Sequence, residues 1–439
     1  MKKERSNIIR ISFSNHFSFK DENHILFSEE TRFSSQKEFW NLIETKEDED
    51  KVLPVSIFYG ANASGKSKLL SLFLKMKQFL NNSEKNLSKL SAYVPFILDE
   101  ESKSKDSLLE FEFFLDKKII IYKLIFNKQI IKTETLTSNN KILYNRENGN
   151  IVYEDSDISN YDKDYIKDTI SKRQDVLVLE LLTKRNIIPY TRIHKFFNKC
   201  FIFCNEFQIP DNRLVELYNN KREINKISQW LNSIDLGISR FEIEQIKIDE
   251  ETQSLNKELF DIFNKKITAK FKSVQIENFE PPKYDYQLKY YHIGKDGNEY
   301  PLSNNQESDG TLAFLSKIIM FYPAFINGGI FICDEIERSL HPILVKRLVQ
   351  AFNNPKINKG GAQLICTTHD VNLLKSDILR RDEIWFIEKD ISGISTVYPL
   401  SSFRDIRNNY DYESGYLKGR FGAIPFLGDI RELEKLMDE

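Results

Sequence analysis

Cysteine is scarce in this 439-residue chain: only Cys200, Cys204, Cys333 and Cys366 occur. Four are too few for a disulfide framework, and two of them sit inside apolar runs that read as buried strands, so a reducing cytoplasm is the expected location. Cys200 and Cys204 with His194 do not make a zinc set, because FFNKCFIFC reads as a core strand and no further ligand pair is near. The sequence also lacks an apolar run of membrane length, and the basic start MKKERSNIIR has no apolar segment behind it, so neither secretion nor a membrane span is expected. A charge excess is missing too. With 63 Lys plus Arg against 65 acidic residues, the net charge of -2 excludes the whole-chain basic signature of a nucleic-acid coating protein, although a local basic patch stays open. There is no internal repeat, no low-complexity linker, and no sustained heptad run of the kind a long coiled-coil arm needs.

What is present suits a large globular protein: 41% apolar and 13% aromatic residues supply core for two or three domains. Residues 8–19 (IIRISFSNHFSF) alternate apolar and polar, and 53–59 (LPVSIFY) end in an apolar run, so both predict strands. Beyond Lys66, Leu69, Leu70, Leu72, Phe73, Met76, Phe79 and Leu80 recur at helical spacing and predict an amphipathic helix over 66–80. Residues 108–136 predict consecutive antiparallel strands that reverse at DKK and NK. From 160 to 280 the pattern is mostly helical and charged, broken at Pro189, Pro210, Pro281 and Pro282. Helices over 310–326 and 342–353 then alternate with strands at 329–333, 362–366, 383–388 and near 394–398, which argues for a parallel, doubly wound α/β core.

Between the strand at 53–59 and the helix at 66–80 lies Gly60-Ala61-Asn62-Ala63-Ser64-Gly65-Lys66-Ser67, a match to G-x-x-x-x-G-K-[ST] in the strand–loop–helix context that this phosphate loop requires. Its glycines let successive N–H groups turn inward, and the following helix N-terminus adds partial positive charge. The expected nucleotide-binding set is Gly60, Asn62, Ala63, Ser64, Gly65, Lys66, Ser67 and the adjoining Lys68. Lys66 is expected to reach the β- and γ-phosphates of ATP, and the Ser67 hydroxyl to ligate Mg²⁺. A second motif, GIFICDEIERSLHP, ends an apolar strand in two acids. Asp334 takes the Walker-B role at the Mg²⁺ ion, on a strand expected beside the P-loop strand, and Glu335 is the expected general base for the attacking water. The alternative is that both acids only open a solvated helix with Glu337 and Arg338. After the strand AQLIC comes Thr367-Thr368-His369-Asp370. A histidine at the C-terminal edge of a parallel sheet is placed to contact the γ-phosphate, or it is a satisfied turn histidine.

The P-loop, the long gap, Glu307-Ser308-Asp309-Gly310-Thr311 ahead of a helix, CDEIERSLHP and TTHD together resemble the ABC-type ATPases, and among them the group of SMC, RecF and OLD proteins. The fold class is therefore expected to be α/β, a P-loop NTPase of ABC/SMC type with an antiparallel β subdomain and a helical insertion. Its expected limits are 1–160 for the N-terminal part of the ATPase domain, 161–290 for the insertion and 291–439 for the C-terminal part. The resemblance implies ATP hydrolysis by Glu335, Lys66 and His369. It also implies that the signature residues Ser308, Asp309, Gly310 and Thr311 act in trans on the nucleotide of a second subunit, in a head-to-tail dimer. SDGT departs from the transporter form LSGGQ, and no clear glutamine marks a Q-loop; Tyr93 to Leu98 (YVPFIL) is its positional candidate.

Asn15-His16-Phe17, Asp235-Leu236-Gly237-Ile238, ESDGT, RSLHP, LRRDEIWFIEKD and GYLKGRFGAIP (415–425) are similar to the abortive-infection ATPases of the AbiL and RloA kind, with the PARIS ATPase as a relative. This resemblance implies phage defence, a trigger that is DNA or a phage protein, and a separately encoded effector, often a Toprim-like nuclease; no membrane is involved. About 40 residues follow the last strand, too few for a Toprim domain on the same chain. GYLKGRFGAIP is expected to be a docking tail for that partner, a nucleotide-adjacent loop or a packed terminus. The alternative function is a RecF- or SMC-like DNA-binding repair ATPase, for which the basic run KKITAKFK at 265–272 is the local feature.

Overall fold

The strand Val55–Tyr59 is apolar throughout and buried at all five positions, as a strand must be when both faces of its sheet are covered. It lies fourth in a six-stranded sheet ordered Phe201–Cys204, Ile330–Cys333, Gln363–Thr367, Val55–Tyr59, Ile384–Lys389, Ser395–Pro399. The first five strands are parallel and the last is antiparallel. The computed structural model describes residues 6–30, 42–44, 51–82, 92–204, 209–234, 237–270, 280–404, 406 and 410–425. The doubly wound core is thus present, with one correction to its neighbours. The strand carrying Asp334 does not lie beside the P-loop strand; Gln363–Thr367 is paired between them.

Side chains alternate along these strands and feed two cores. Phe58, Ile330, Ile332, Ile365 and Ile387 meet the helix Lys66–Asn82, and Val55, Ile57, Tyr59, Phe331 and Leu364 meet the helices Asp309–Asn327 and Pro342–Phe352. Each such side chain stabilises by about 1.5–3 kcal/mol, which makes the sheet a rigid base for the loops at its C-terminal edge.

Above the helix Lys66–Asn82 lies a seven-stranded antiparallel sheet, ordered Asn150–Tyr153, Lys141–Glu147, Ile131–Ser138, Lys118–Phe126, Ser107–Leu115, Asn7–Ser14, Asn23–Leu26. Leu109, Phe111 and Phe113 alternate inward, as a period of two demands. The expected strands over 108–136 form, and the reversals fall at Asp116-Lys117, both with positive φ, and at Asn127, whose Oδ1 accepts from the N–H groups of Gln129 and Ile130. Buried Gln363 ties the two sheets together: its Oε1 accepts from Ile8 N at 2.7 Å and its Nε2 donates to Ile8 O at 3.0 Å.

The stretch from 161 to 290 does contain helices, at Asn160–Lys172, Val178–Lys184, Tyr190–Lys195, Asp211–Tyr218, Lys221–Asn232 and Glu250–Lys270. It also contains strands. Phe201–Cys204 closes one edge of the parallel sheet, and Ile238–Lys247 pairs with Tyr284–Ile293 in a separate three-stranded sheet completed by Glu299–Leu302. FFNKC is not strand but a turn of π-helix, Phe196–Cys200, because Phe196 and Phe197 continue the preceding helix and pack on Phe113 and Phe111. Asp235 and Leu236, and the end of the basic run 265–272, lie outside the described residues.

The helix Val178–Lys184 has a leucine at its N-cap and so no capping side chain of its own. Glu134 of the antiparallel sheet supplies the cap instead, accepting from Val178 N at 2.7 Å and Leu179 N at 2.9 Å as well as from the hydroxyls of Tyr122 and Tyr144. Fully buried Arg146 donates to Val176 O and Gln174 O on the same approach. This is how the helical stretch is fastened to the sheet. The helix Asp309–Asn327 is long and apolar enough to cross a membrane, longer than the sequence pattern suggested, yet 61% of its apolar window is buried in the protein. Finally, Tyr416 and Phe421 stack on Phe386, and Tyr416 Oη donates to Ala423 O at 3.0 Å. GYLKGRFGAIP therefore packs on the outer part of the parallel sheet.

Candidate nucleotide site

The loop Gly60–Gly65 turns back tightly at the end of its strand. A Cβ on Gly60 would come within 2.4 Å of Ile387 O, Ala63 and Gly65 both have positive φ, and a Cβ on Gly65 would press Ser18, Phe19 and Ser395. The loop is also held from outside: Ser395 Oγ donates to Ser64 O at 2.6 Å. Lys66, at the first turn of its helix, is 7% exposed. Its ammonium donates to Gly60 O at 2.7 Å and Ala61 O at 3.0 Å, which leaves a third donor. Burial lowers the Lys66 pKa from its ordinary value, against the opposing pull of Asp334, Glu335 and Glu337. The three acids therefore lie within electrostatic reach of the lysine.

Two loops at the ends of neighbouring strands meet that lysine. Thr367, fully buried, donates its hydroxyl hydrogen to Asp334 Oδ1 at 2.5 Å and accepts from Glu335 N at 2.8 Å, while Ile336 N donates to Thr367 O. Glu335 is held at φ 49°, in the left-handed region where a non-glycine residue is strained. Thr368 Oγ1 donates to Glu337 Oε2 at 2.7 Å, and His369 N donates to Glu337 Oε1 at 2.6 Å. These bonds stitch the turn after Asp334 to the turn before His369.

Asn62, Ala63, Ser64, Gly65, Lys66, Ser67 and Lys68 line one cleft of about 720 Å³ with Glu335 and His369. The structure thus brings together the P-loop, one acid and the histidine of the sequence reading. Gly60 and Asp334 are not on the cleft lining; they act from behind it, Gly60 as a lysine acceptor and Asp334 through Thr367 and the lysine's field. The wall is completed by Phe17, Ser18 and Val94 to Leu98, with Lys389 and Gly393. Asn15 shapes this wall: it has positive φ, donates to Ser102 O and Lys105 O, and accepts from Phe96 N, while Phe17 N donates to Val94 O. Lys68 sits 4.8 Å from the centre of the Phe17 ring. The Tyr93–Leu98 segment is therefore at the cleft without a glutamine in it.

Ser308, Asp309, Gly310 and Thr311 do not line this cleft. The helix begins at Asp309 rather than near Thr311, because Ser308 is its N-cap: Ser308 Oγ accepts from Thr311 N at 3.1 Å and shares a bond with the Thr311 hydroxyl. A Cβ on Gly310 would lie 2.9 Å from Ser339 O, so the signature turn touches the segment that follows Asp334 and Glu335. Glu307, just before it, pairs with His292 Nε2 of the three-stranded sheet.

Sequence reasoning assigned no role to Thr367 or Glu337, although both lie within the motifs it quoted. Ser395 carried no local signal, since it is 331 residues from its partner Ser64. Ser67 and Asp334 offer a hydroxyl and a carboxylate, hard oxygen donors that suit Mg²⁺, an ion that takes few protein ligands when phosphates supply the rest. The residues present therefore fit the ion, and when bound it would neutralise phosphate charge. With the ammonium of Lys66, the carboxylate of Glu335 and the imidazole of His369 on one cleft lined by a glycine-bearing loop, the site has the parts for binding a nucleoside triphosphate and activating a water.

No curated protein matches the chain. Solved structures similar to it include an SMC head domain from Thermotoga maritima (11% identity over 89% of this chain and 98% of that one, TM-score 0.39). The recombination mediator RecF with ATP, from the RecFOR pathway, is another (14% identity over 90% of this chain and 100% of that one, TM-score 0.36). The sequence profile of the family described as "AAA domain, putative AbiEii toxin, Type IV TA system" matches residues 55–375, from the P-loop strand past the histidine. That match spans well over half of the protein and contains every motif gathered at the cleft, so the chain belongs to this AAA-domain family of P-loop ATPases.

Proposed function

We propose that the protein is the ATP-hydrolysing sensor subunit of a bacterial antiphage, abortive-infection system, related to the AbiL, RloA and PARIS ATPases. It works in the cytoplasm as a head-to-tail dimer or larger assembly and controls a separately encoded effector, a nuclease, in response to phage protein or DNA. Lys66 and the amides of Gly60 to Lys68 hold the ATP phosphates, Ser67 and Asp334 hold Mg²⁺, Glu335 takes the proton of the attacking water, and His369 meets the γ-phosphate. Ser308, Asp309, Gly310 and Thr311 serve the nucleotide of the partner subunit. One observation carries this reading: Lys66, Glu335 and His369 share a cleft that the Ser308–Thr311 turn does not enter. Beyond the N-terminus of the Lys66 helix, a γ-phosphate there would be met by the Ser308–Thr311 helix start only from a second subunit. The family's description, which names an abortive-infection toxin, supports the defence setting.

Mass photometry of Glu335→Gln, with and without ATP and Mg²⁺ and after co-expression with the neighbouring gene product, tests the proposal. The expected result is an ATP-dependent dimer, or a multiple of it, that retains the partner. An ATP-independent monomer would overturn the trans arrangement. ATP-dependent binding of DNA with no protein partner would point to the repair ATPase instead.

A further inference from the structure

The Asp334–Glu337 turn and the Thr367–Asp370 turn follow two adjacent parallel strands, and they exchange two distinct sets of bonds. Thr367 serves Asp334 and Glu335. Glu337 serves the histidine side: one carboxylate oxygen accepts the Thr368 hydroxyl at 2.7 Å and the other accepts the His369 N–H at 2.6 Å. Glu337 itself does not line the cleft, whereas the exposed His369 side chain does. On the far side of the histidine, Asp370 N donates back to Thr368 Oγ1 at 3.0 Å and Asp370 O accepts from Tyr59 Oη at 3.1 Å. The main chain is thus held immediately before and after His369, while its ring is left free to meet a ligand.

The carboxylate satisfies the hydroxyl of buried Thr368, but stability alone does not require its second bond, to the His369 N–H. The His369 N–H belongs to a solvent-facing turn, where water would satisfy it at little cost. What water cannot do is fix the φ and ψ of residue 369, and a histidine that must meet one phosphate oxygen needs its backbone fixed. The bidentate bond, one arm to a hydroxyl and one to the next N–H, sets both the position and the rotation of that peptide.

We propose that Glu337 is a positioning residue for His369, its carboxylate clamping the Thr368–His369 main chain so that the imidazole stands in the P-loop cleft beside Glu335. This rests on the ATPase reading above and adds to it a residue that touches neither nucleotide nor metal. Glutamine can replace the clamp, since its oxygen accepts the His369 N–H and its amide can donate to the Thr368 hydroxyl, whereas alanine cannot.

The test is a mutant cycle of the full chain, Glu337→Ala, Glu337→Gln, His369→Ala and Glu337→Ala with His369→Ala, read as steady-state ATP hydrolysis. Hydrogen exchange of the peptide covering 367–370 is measured alongside. For Glu337→Ala the expected results are a fall in kcat of roughly tenfold or more, as when a supporting partner of an active group is removed, a KM within about twofold, and faster exchange at 367–370. Glu337→Gln should keep most of the rate, and Glu337→Ala should cost nothing further once His369 is alanine. Losses that multiply in the double variant, or a KM that rises as kcat falls, would overturn the inference while leaving the ATPase intact. No hydrolysis by the wild type, with its 367–370 peptide still protected, would overturn the ATPase reading and this inference with it.

Discussion

In the P-loop cleft, segments far apart in the chain are cross-bonded: Ser395 to Ser64, Thr367 to Asp334 and Glu335, Glu337 to Thr368 and His369, Asn15 to Phe96. At the Ser308–Thr311 turn the opposite holds. Its hydroxyls bond within the same turn, Ser308 to Thr311, and Gly310 rests on Ser339 O. The first region is assembled by one chain to hold a ligand. The second is a self-capped helix start, whose first free N–H groups are met within the turn itself. The difference teaches that the phosphate cleft is held together by distant segments of the chain, whereas the signature turn is held by its own residues.

The largest effects should fall on the cleft. Lys66→Ala is expected to weaken ATP binding by more than tenfold, whereas Glu335→Gln should leave binding within about twofold and cut hydrolysis by roughly 10² or more. Equilibrium binding of a fluorescent ATP analogue alongside phosphate release separates the two, and equal loss of binding in both variants would break the assignment. Next comes a direct test of the contrast between the regions. Ser308→Arg alone should abolish hydrolysis while keeping nucleotide binding, and mixing it with Lys66→Ala should recover activity, because one mixed interface joins an intact P-loop to an intact turn. Two inactive proteins that stay inactive when mixed would mean that the turn does not act in trans.

A smaller effect is expected from Gly310→Ala, whose added Cβ meets Ser339 O at 2.9 Å. Displacing this contact should lower Tm by about one degree, on the order of 1 kcal/mol in a chain of this size, and lower hydrolysis more than nucleotide binding. An unchanged Tm and rate would show that the signature turn and the segment after Glu335 are not coupled.

The smallest effect is a pH dependence on the cleft side. Burial first, and Lys75 second, push His16 down to about 3. The unfolded histidine titrates near 6.5, so between those values the unfolded chain binds more protons. The contribution of neutral His16 is therefore complete above pH 6.5 and is lost as pH falls toward 3. Burial pushes Glu383 up to about 8 from an ordinary value of 4.5, and this works in the opposite sense, with stability falling as pH rises through that window. His16→Phe should flatten the acid limb of Tm against pH, measured between pH 7 and 5. An acid limb of unchanged slope would sink this attribution.

Much of the site could be read from residues in a row. The P-loop, the acids after GIFIC and the histidine after AQLIC are contiguous motifs set on periodic elements, and the strand and helix boundaries around them fell within one or two residues of the periodicity. The strand Ile238–Lys247 was harder, because its buried positions, Ile238, Phe241 and Ile243, are few and shifted by the irregular pairing between Ile238 and Arg240. Likewise, nothing local separates a tail that docks from one that packs; only the stacking of Tyr416 and Phe421 on Phe386 decides for packing.

The sequence by itself determined the chemistry available to this protein: a lysine in a glycine loop, two acids after a buried strand, a histidine after another, and a serine ahead of an apolar helix. Only the tertiary structure decided who stands beside whom. It placed Gln363–Thr367 between the lysine strand and the acid strand, so that Thr367 became the link between them, and it put Glu337 under His369 and Phe17 on the same cleft as Lys66. The reason is physical. Periodicity reports which face of an element is buried, but the order of strands in a sheet is set by the packing of all of them at once, and bonds between strand ends exist only once that order is chosen.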